Sequence, residues 1–172
     1  MFRPLRLHLR HLLFAVPLGA ALLVLCVAPA SAEGRSANLD CTITFTSDIN
    51  PPITPAGGPH SSTTEGLTGA AGCTGTVDGQ TVSGTGSFGL YSEGTGDCVS
   101  GSGSGTFVLR IPTTGGPETV TGRFDFAYGP GIVASAFTGD LTGTGTTIAA
   151  VGDCVTTPLS QGTDQFAGHV SV

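Results

Sequence analysis

After residue 32, the side chains best suited to acid–base chemistry are two histidines, His60 and His169. Hydrolysis by a serine or cysteine nucleophile needs such a base beside it, oriented by a third polar group. Serines are plentiful, but none stands in the G-x-S-x-G context of a nucleophile elbow. His60 falls in a proline-rich stretch, and His169 falls on the polar side of an alternating segment. We therefore expect two exposed surface histidines and no catalytic residue.

The twelve acidic residues could in principle supply the paired carboxylates of a glycosidase. Sugar sites also use flat aromatic platforms. The chain has no tryptophan, and its two tyrosines are Tyr91 and Tyr128. Tyr128 alternates with phenylalanines, which indicates a structural position. Enzymatic activity is therefore uncertain, and the sequence favours a protein that is not an enzyme.

Two glycine-containing patterns resemble cofactor or metal sites. Residues 84–89 match G-x-G-x-x-G, but this pattern binds dinucleotides only between a strand and a helix, and here it lies within a strand-like run. Gly-Asp pairs occur at 96–97, 139–140 and 152–153, and carboxylates beside flexible backbone can bind calcium. No EF-hand or calcium-binding repeat accompanies them. We expect no cofactor and no metal site.

The cysteines predict disulfide bonds. Four of the five follow residue 32, none is in a C-x-x-C spacing, and four cysteines allow three pairings. The segment at 96–99, Gly-Asp-Cys-Val, is repeated at 152–155, which suggests two equivalent positions joined by a bond. This repeat favours pairing Cys98 with Cys154 and Cys41 with Cys73.

Residues 1–32 have the features of a secretory signal peptide. Arg3, Arg6 and Arg10 precede an apolar run from Leu12 to Val27, and the segment ends in an A-x-A pattern before Glu33. The apolar run is shorter than the roughly 20 residues of a membrane-spanning helix. We expect a secreted, extracellular protein with no stable membrane anchor after cleavage.

The charge of residues 33–172 restricts the possible partners. This part contains three arginines, no lysine and twelve acids, a net charge of −9 with histidines neutral. Nucleic-acid binding depends on clustered Lys and Arg, and anionic membranes attract the same residues. We expect no nucleic-acid partner; the ligand or protein partner is unknown from the sequence.

Alternating apolar and polar residues predict an all-β fold. The alternation has a period of two, typical of half-buried strands, at 41–46, 107–111, 120–128 and 165–172. Asp78-Gly79 between two strand-like runs is typical of a type I′ hairpin turn, and another turn is expected at Ser92–Gly96. We expect one domain at 33–172, an antiparallel meander closing into a small β-barrel or β-sandwich. A proline-rich loop is expected at 48–66.

Three segments resemble small, glycine- and threonine-rich β-proteins exported by actinobacteria. They are Cys41–Thr46, Gly101–Phe107 and Gly152–Pro158. The resemblance implies a secreted habitat and no particular activity. We expect a non-enzymatic β-domain that binds a small ligand, a partner protein or an envelope component. The alternatives are a structural or surface-coat protein, and a hydrolase of unrecognised type.

Overall fold

A computed structural model describes residues 35–172, and the predicted signal peptide lies outside the described residues. The described chain consists of ten β-strands and one short 3₁₀ helix, Pro130–Ile132, which precedes β8. The all-β prediction is confirmed. The strands are β1 Ala37–Ile53, β2 Gly58–Thr63, β3 Gly69–Val77, β4 Gln80–Thr81, β5 Gly86–Gly96, β6 Gly101–Thr113, β7 Gly116–Tyr128, β8 Ala134–Gly139, β9 Leu141–Val151 and β10 Leu159–Ser171.

The strands form one antiparallel sheet that closes on itself. From β5 to β10 each strand pairs with the next, and β10 pairs with β1. On its other side β1 pairs with β3 along its first half and with β2 near its end, and both β2 and β3 pair with β5. The closure corresponds to the barrel alternative of the sequence prediction. Within residues 35–172, no helix has the length and apolar character needed to cross a membrane.

The apolar faces of the strands meet inside the ring, as the alternation predicts. Ile43, Phe107 and Phe166 are among the fully buried side chains of this main core. A second, smaller group of buried residues lies beside it: Ile49, Ile53, Tyr128, Cys154 and Leu159.

Glycines on β6 make room for aromatic rings on β7. Gly101, Gly103 and Gly105 are directly opposite Tyr128, Phe126 and Phe124 in the antiparallel register. A Cβ at position 103 would lie 2.8 Å from an edge carbon of Phe126, and one at position 105 would lie 2.6 Å from Phe124 Cζ. Real Cβ atoms do not approach so closely, so each of these rings occupies the space that a side chain would take. Much of the glycine content of this segment therefore serves packing.

The two disulfides join Cys41 to Cys73 and Cys98 to Cys154, the pairs favoured by the repeated tetrapeptide. The first bond links directly opposite residues of β1 and β3. The second links the β5–β6 turn to the β9–β10 turn.

The repeated tetrapeptide forms the same local structure twice. The Asp97 carboxylate accepts hydrogen bonds from the backbone N–H groups of Val99 and Ser100. The Asp153 carboxylate accepts them from three following N–H groups, at residues 155, 156 and 157. Each aspartate thus closes a turn that presents the next residue, a cysteine, for cross-linking.

The proline-rich segment at 48–66 differs from the predicted loop. Residues 48–53 continue β1, and residues 58–63 form β2. Pro51 and Pro52 fall where the pairing of β1 with β10 is irregular, between Asp48 and Ile53, so their missing N–H groups interrupt no regular ladder. The turn expected at Ser92–Gly96 is also wrong, because β5 continues to Gly96 and the turn follows at residues 97–100.

Candidate functional site

A cavity of about 90 Å³, partly open to solvent, lies inside the ring between the two groups of buried residues. Its apolar wall includes Phe124, Phe126, Tyr128 and Leu159. Its complete lining is Phe45, Ser47, Ile49, Ile53, His60, Ser62, Leu90, Ser92, Phe124, Phe126, Tyr128, Ile132, Ser135, Phe137, Thr147, Leu159, Gly162 and Asp164.

The cavity exists because small residues replace large ones at inward positions. Ser47 on β1 continues the inward face of Ile43 and Phe45, and Ser92 on β5 continues that of Phe88 and Leu90. Both serines are buried, at 4% and 5% exposure. Their hydroxyls make no hydrogen bond to the described residues. In residues 35–172, every side-chain N or O that is fully shielded from solvent has a hydrogen-bond partner, so these two hydroxyls are not fully shielded. The two hydroxyls therefore face the cavity and are available to a bound molecule.

Asp164 is the acid of the cavity. It lies on β10, directly opposite Phe45 on β1 and Thr147 on β9. Thr147 Oγ1 is 2.6 Å from Asp164 Oδ1 and 2.8 Å from the carbonyl oxygen of Ile132. A hydroxyl carries one proton and cannot donate to both. When Asp164 is protonated it donates to Thr147, which then donates to Ile132, and both bonds form.

The position of Asp164 changes its acidity. Burial raises the pKa of this carboxyl, and the Thr147 hydroxyl acts in the opposite direction by donating to the ionised form. Within residues 35–172, the Arg–carboxylate ion pair is Arg35–Glu118, and the His–carboxylate contact is His169–Asp40. Neither involves Asp164, so no arginine of the described chain neutralises it.

His60 is placed differently from the sequence expectation of a surface histidine. It is 7% exposed and lines the cavity. The reason is that its segment is strand β2, inserted between β1 and β5, and not a loop. Its Nδ1 is 3.4 Å from the Gly58 carbonyl oxygen, and its ring centroid is 6.4 Å from that of Tyr128. His169, in contrast, is on the outer face, with Nδ1 3.0 Å from Asp40 Oδ1.

Tyr128 combines apolar and polar contacts. Its ring stacks on Phe126 at a centroid distance of 6.5 Å, and its hydroxyl donates to the Asp97 carbonyl oxygen at 3.2 Å. Burial raises the pKa of the Tyr128 hydroxyl, and the negative charge of Asp97 adds to the effect.

The cavity brings together serines, a histidine and an aspartate, but not as a catalytic chain. Among the described residues, no hydrogen bond joins His60 to a serine or to Asp164. The arrangement instead provides aromatic walls with separate hydroxyl, imidazole and carboxyl groups, which suits recognition of a small molecule. Sequence reasoning did not predict Ser47, Ser92 or Asp164 as site residues. The available signal was a polar residue at an inward position of an alternating strand.

The three Gly-Asp pairs have structural partners. Asp97 and Asp153 close turns, and Asp140 accepts a hydrogen bond from the backbone N–H of Arg123 at 2.8 Å. Within the part of the chain that the structure describes, no three His, Cys, Asp or Glu side chains gather in a way that could hold a metal ion.

The fold and the cavity define a disulfide-bonded, closed antiparallel β-domain with a small interior pocket. Comparison of the chain with protein-family models, curated proteins and solved structures found no match.

Proposed function

We propose that this protein is a non-enzymatic binding domain that takes part of a small molecule into its interior cavity. The observation that carries the proposal is the mixed lining, in which aromatic walls surround the unbonded hydroxyls of Ser47 and Ser92 and the carboxyl of Asp164. Ligand sites in proteins combine apolar walls with a few placed polar groups in this way. A packed structural core would fill these positions with apolar side chains.

The size of the cavity limits what it encloses. Its volume of about 90 Å³ is smaller than the roughly 150 Å³ of an engineered cavity that holds benzene. The ligand therefore inserts an end group of a few atoms, and the rest of it lies at the open mouth.

Native mass spectrometry of the purified protein tests the binding proposal. We expect a retained small molecule, and we expect Ser92→Leu, which fills the cavity, to abolish its retention. Ser104→Leu is the matched control, because Ser104 is exposed on the outer face of β6. Melting curves establish that both variants are folded. A ligand that Ser92→Leu still retains would show that the cavity is not the binding site.

The hydrolase alternative requires a base in the cavity, and His60 is the histidine that lines it. If an activity is found, His60→Gln tests this alternative. Unchanged activity would exclude His60 as the base.

We also propose that the protein is exported and loses residues 1–32. Two disulfides are compatible with an oxidising compartment. N-terminal sequencing of the protein from the culture medium is expected to begin at Glu33. The net charge of −9 for residues 33–172 supports a partner that is neither nucleic acid nor an anionic membrane.

A second candidate function, edge-to-edge assembly with further copies of the chain, is supported by β9. Beyond Thr147, β9 continues to Val151 with β10 on one side and, in residues 35–172, no strand on the other. Ile148 and Val151 are exposed there, as are Val133 and Val155 nearby. Open edges with apolar side chains pair readily with other strands. Size-exclusion chromatography distinguishes the two candidate functions. Assembly would be favoured if the protein forms oligomers, if Ile148→Lys dissociates them, and if Thr146→Lys leaves them intact.

A further inference from the structure

We propose that the cavity selects a ligand whose inserted end group is a primary amine in its charged form, with Asp164 as its counter-ion. This inference rests on the proposed binding function and specifies the chemical class of the ligand. It follows from the distribution of charge inside the ring.

Among the residues that the structure describes, Asp164 is the carboxylic acid that lines the cavity, and no arginine lines it. Asp164 Oδ1 is bonded to Thr147, but Oδ2 accepts no hydrogen bond from the described residues. The three arginines after residue 32 are Arg35, Arg110 and Arg123, and none of them lines the cavity. An ionised carboxylate without a cationic partner is costly where it is largely removed from water, and a bound cation offsets this cost.

The other walls also suit a cation. Four phenylalanine rings and the Tyr128 ring line the cavity, and the faces of aromatic rings attract positive charge. The hydroxyls of Ser47 and Ser92 can accept the remaining ammonium protons. An anionic ligand would meet Asp164, and among residues 35–172 no arginine or lysine lines the cavity to balance the two negative charges.

The titratable side chains that line the cavity are His60 on β2, Tyr128 on β7 and Asp164 on β10. Tyr128 is neutral at ordinary pH, since its pKa is raised. Amine binding is expected to weaken at acidic pH, where Asp164 becomes protonated and loses its negative charge.

The test compares n-butylamine with n-butanol, which have the same number of non-hydrogen atoms, by NMR titration of the purified protein at pH 7. A charge-assisted hydrogen bond is expected to make the amine bind about tenfold more tightly. Asp164→Asn should remove this preference. Asp125→Asn should keep it, because Asp125 is exposed on the outer face of β7.

Should Asp164→Asn not fold, the carboxyl carbon of Asp164 in the unaltered protein provides the second measurement. Its pH titration should move to lower pH when butylamine is added, because the bound cation favours the ionised form.

The outcomes separate this inference from the proposed function. The amine assignment would be overturned, and ligand binding left intact, by any of three results. These are equal binding of both probes, loss of the amine preference in Asp125→Asn, and an Asp164 titration that butylamine does not move. If neither probe changes any resonance of a cavity residue, and the native protein retains no ligand, the binding function itself is refuted.

Discussion

The Phe124 ring on β7 covers Gly105, its direct cross-strand partner on β6, so closely that a Cβ at position 105 would lie 2.6 Å from Phe124 Cζ. The same position faces the Ser92 side chain of β5, where the Cβ–Cβ distance would be 2.8 Å. Gly105 thus allows three strands to pack together at the wall of the cavity.

Gly105→Ala is expected to destabilise the protein, because the added methyl group would lie 2.5 Å from the Tyr91 carbonyl oxygen and 2.6 Å from the Phe124 ring. Overpacking of this kind costs about 1–3 kcal/mol. The midpoint of urea denaturation measures the change. Gly129→Ala is the control: a Cβ there meets nothing within 4 Å, so the expected change is below about 0.5 kcal/mol. Equal effects of the two substitutions would contradict the packing role of Gly105.

Replacing Cys98 and Cys154 together by alanine is expected to lower the free energy of unfolding by about 4 kcal/mol, since their bond closes a long loop. The separation of the two cysteines is 56 residues. Removing Cys41–Cys73, with a separation of 32 residues, should cost slightly less by the same argument. Denaturant unfolding of both double variants shows which disulfide contributes more to the free energy of unfolding. A negligible loss on removing Cys98–Cys154 would argue against the loop-closure explanation.

Asp164→Asn is expected to stabilise the protein at neutral pH. Burial raises the pKa of Asp164 in the folded state. At pH values between the unfolded pKa of about 3.9 and the higher folded pKa, the folded state binds more protons than the unfolded state. Stability therefore falls as pH rises through this range. Asparagine does not ionise, so the variant does not lose this stability as pH rises. Melting temperatures at pH 3 and pH 7 test this prediction. The variant should have a higher melting temperature than the unaltered protein at pH 7 but not at pH 3. A lower melting temperature of the variant at pH 7 would refute the prediction.

Asp153→Ala is expected to destabilise the protein at neutral pH and to matter less in acid. The hydrogen bond from the Thr156 hydroxyl, followed by those from the backbone N–H groups of Thr157 and Thr156, holds the pKa of Asp153 below its usual range. A lowered folded pKa contributes stability above the unfolded pKa of about 3.9, and that stability is lost as pH falls toward the folded value.

Melting temperatures of Asp153→Ala and the unaltered protein, compared from pH 7 to pH 2, measure this dependence. Asp125→Ala, at an exposed strand position, serves as the control. A difference between Asp153→Ala and the unaltered protein that stays constant with pH would show that the carboxylate charge plays no part.

Side-chain parity was predictable because it depends only on neighbours along the chain. Ile43, Phe107 and Phe166 face inward, as the period of two requires. The Asp78-Gly79 turn is also local, and the structure pairs Val77 with Gln80 across it, with positive φ at both turn residues.

The errors share one cause. The glycines of Ser92–Gly96 predict a turn from the local sequence, but Gly94 lies against the Phe126 ring, a neighbour more than thirty residues away. The prolines around His60 predict a loop and an exposed histidine, but pairing with β1 and β5 makes its segment a strand. Glycine and proline predict turns and loops from the local sequence. Pairing with strands far away in the chain decides whether the segment becomes a turn, a loop or a strand.

The sequence by itself determined that the chain alternates between an apolar and a polar side, that four cysteines are available for cross-linking, and that the charge is strongly negative. These properties depend on residue type and spacing. Only the tertiary structure decided that the sheet closes and that Ser47, Ser92 and Asp164 meet around one cavity. It also decided that no arginine of residues 35–172 pairs with Asp164 there. Each depends on pairings between strands far apart in the chain, since a cavity forms only where small inward residues from several strands coincide.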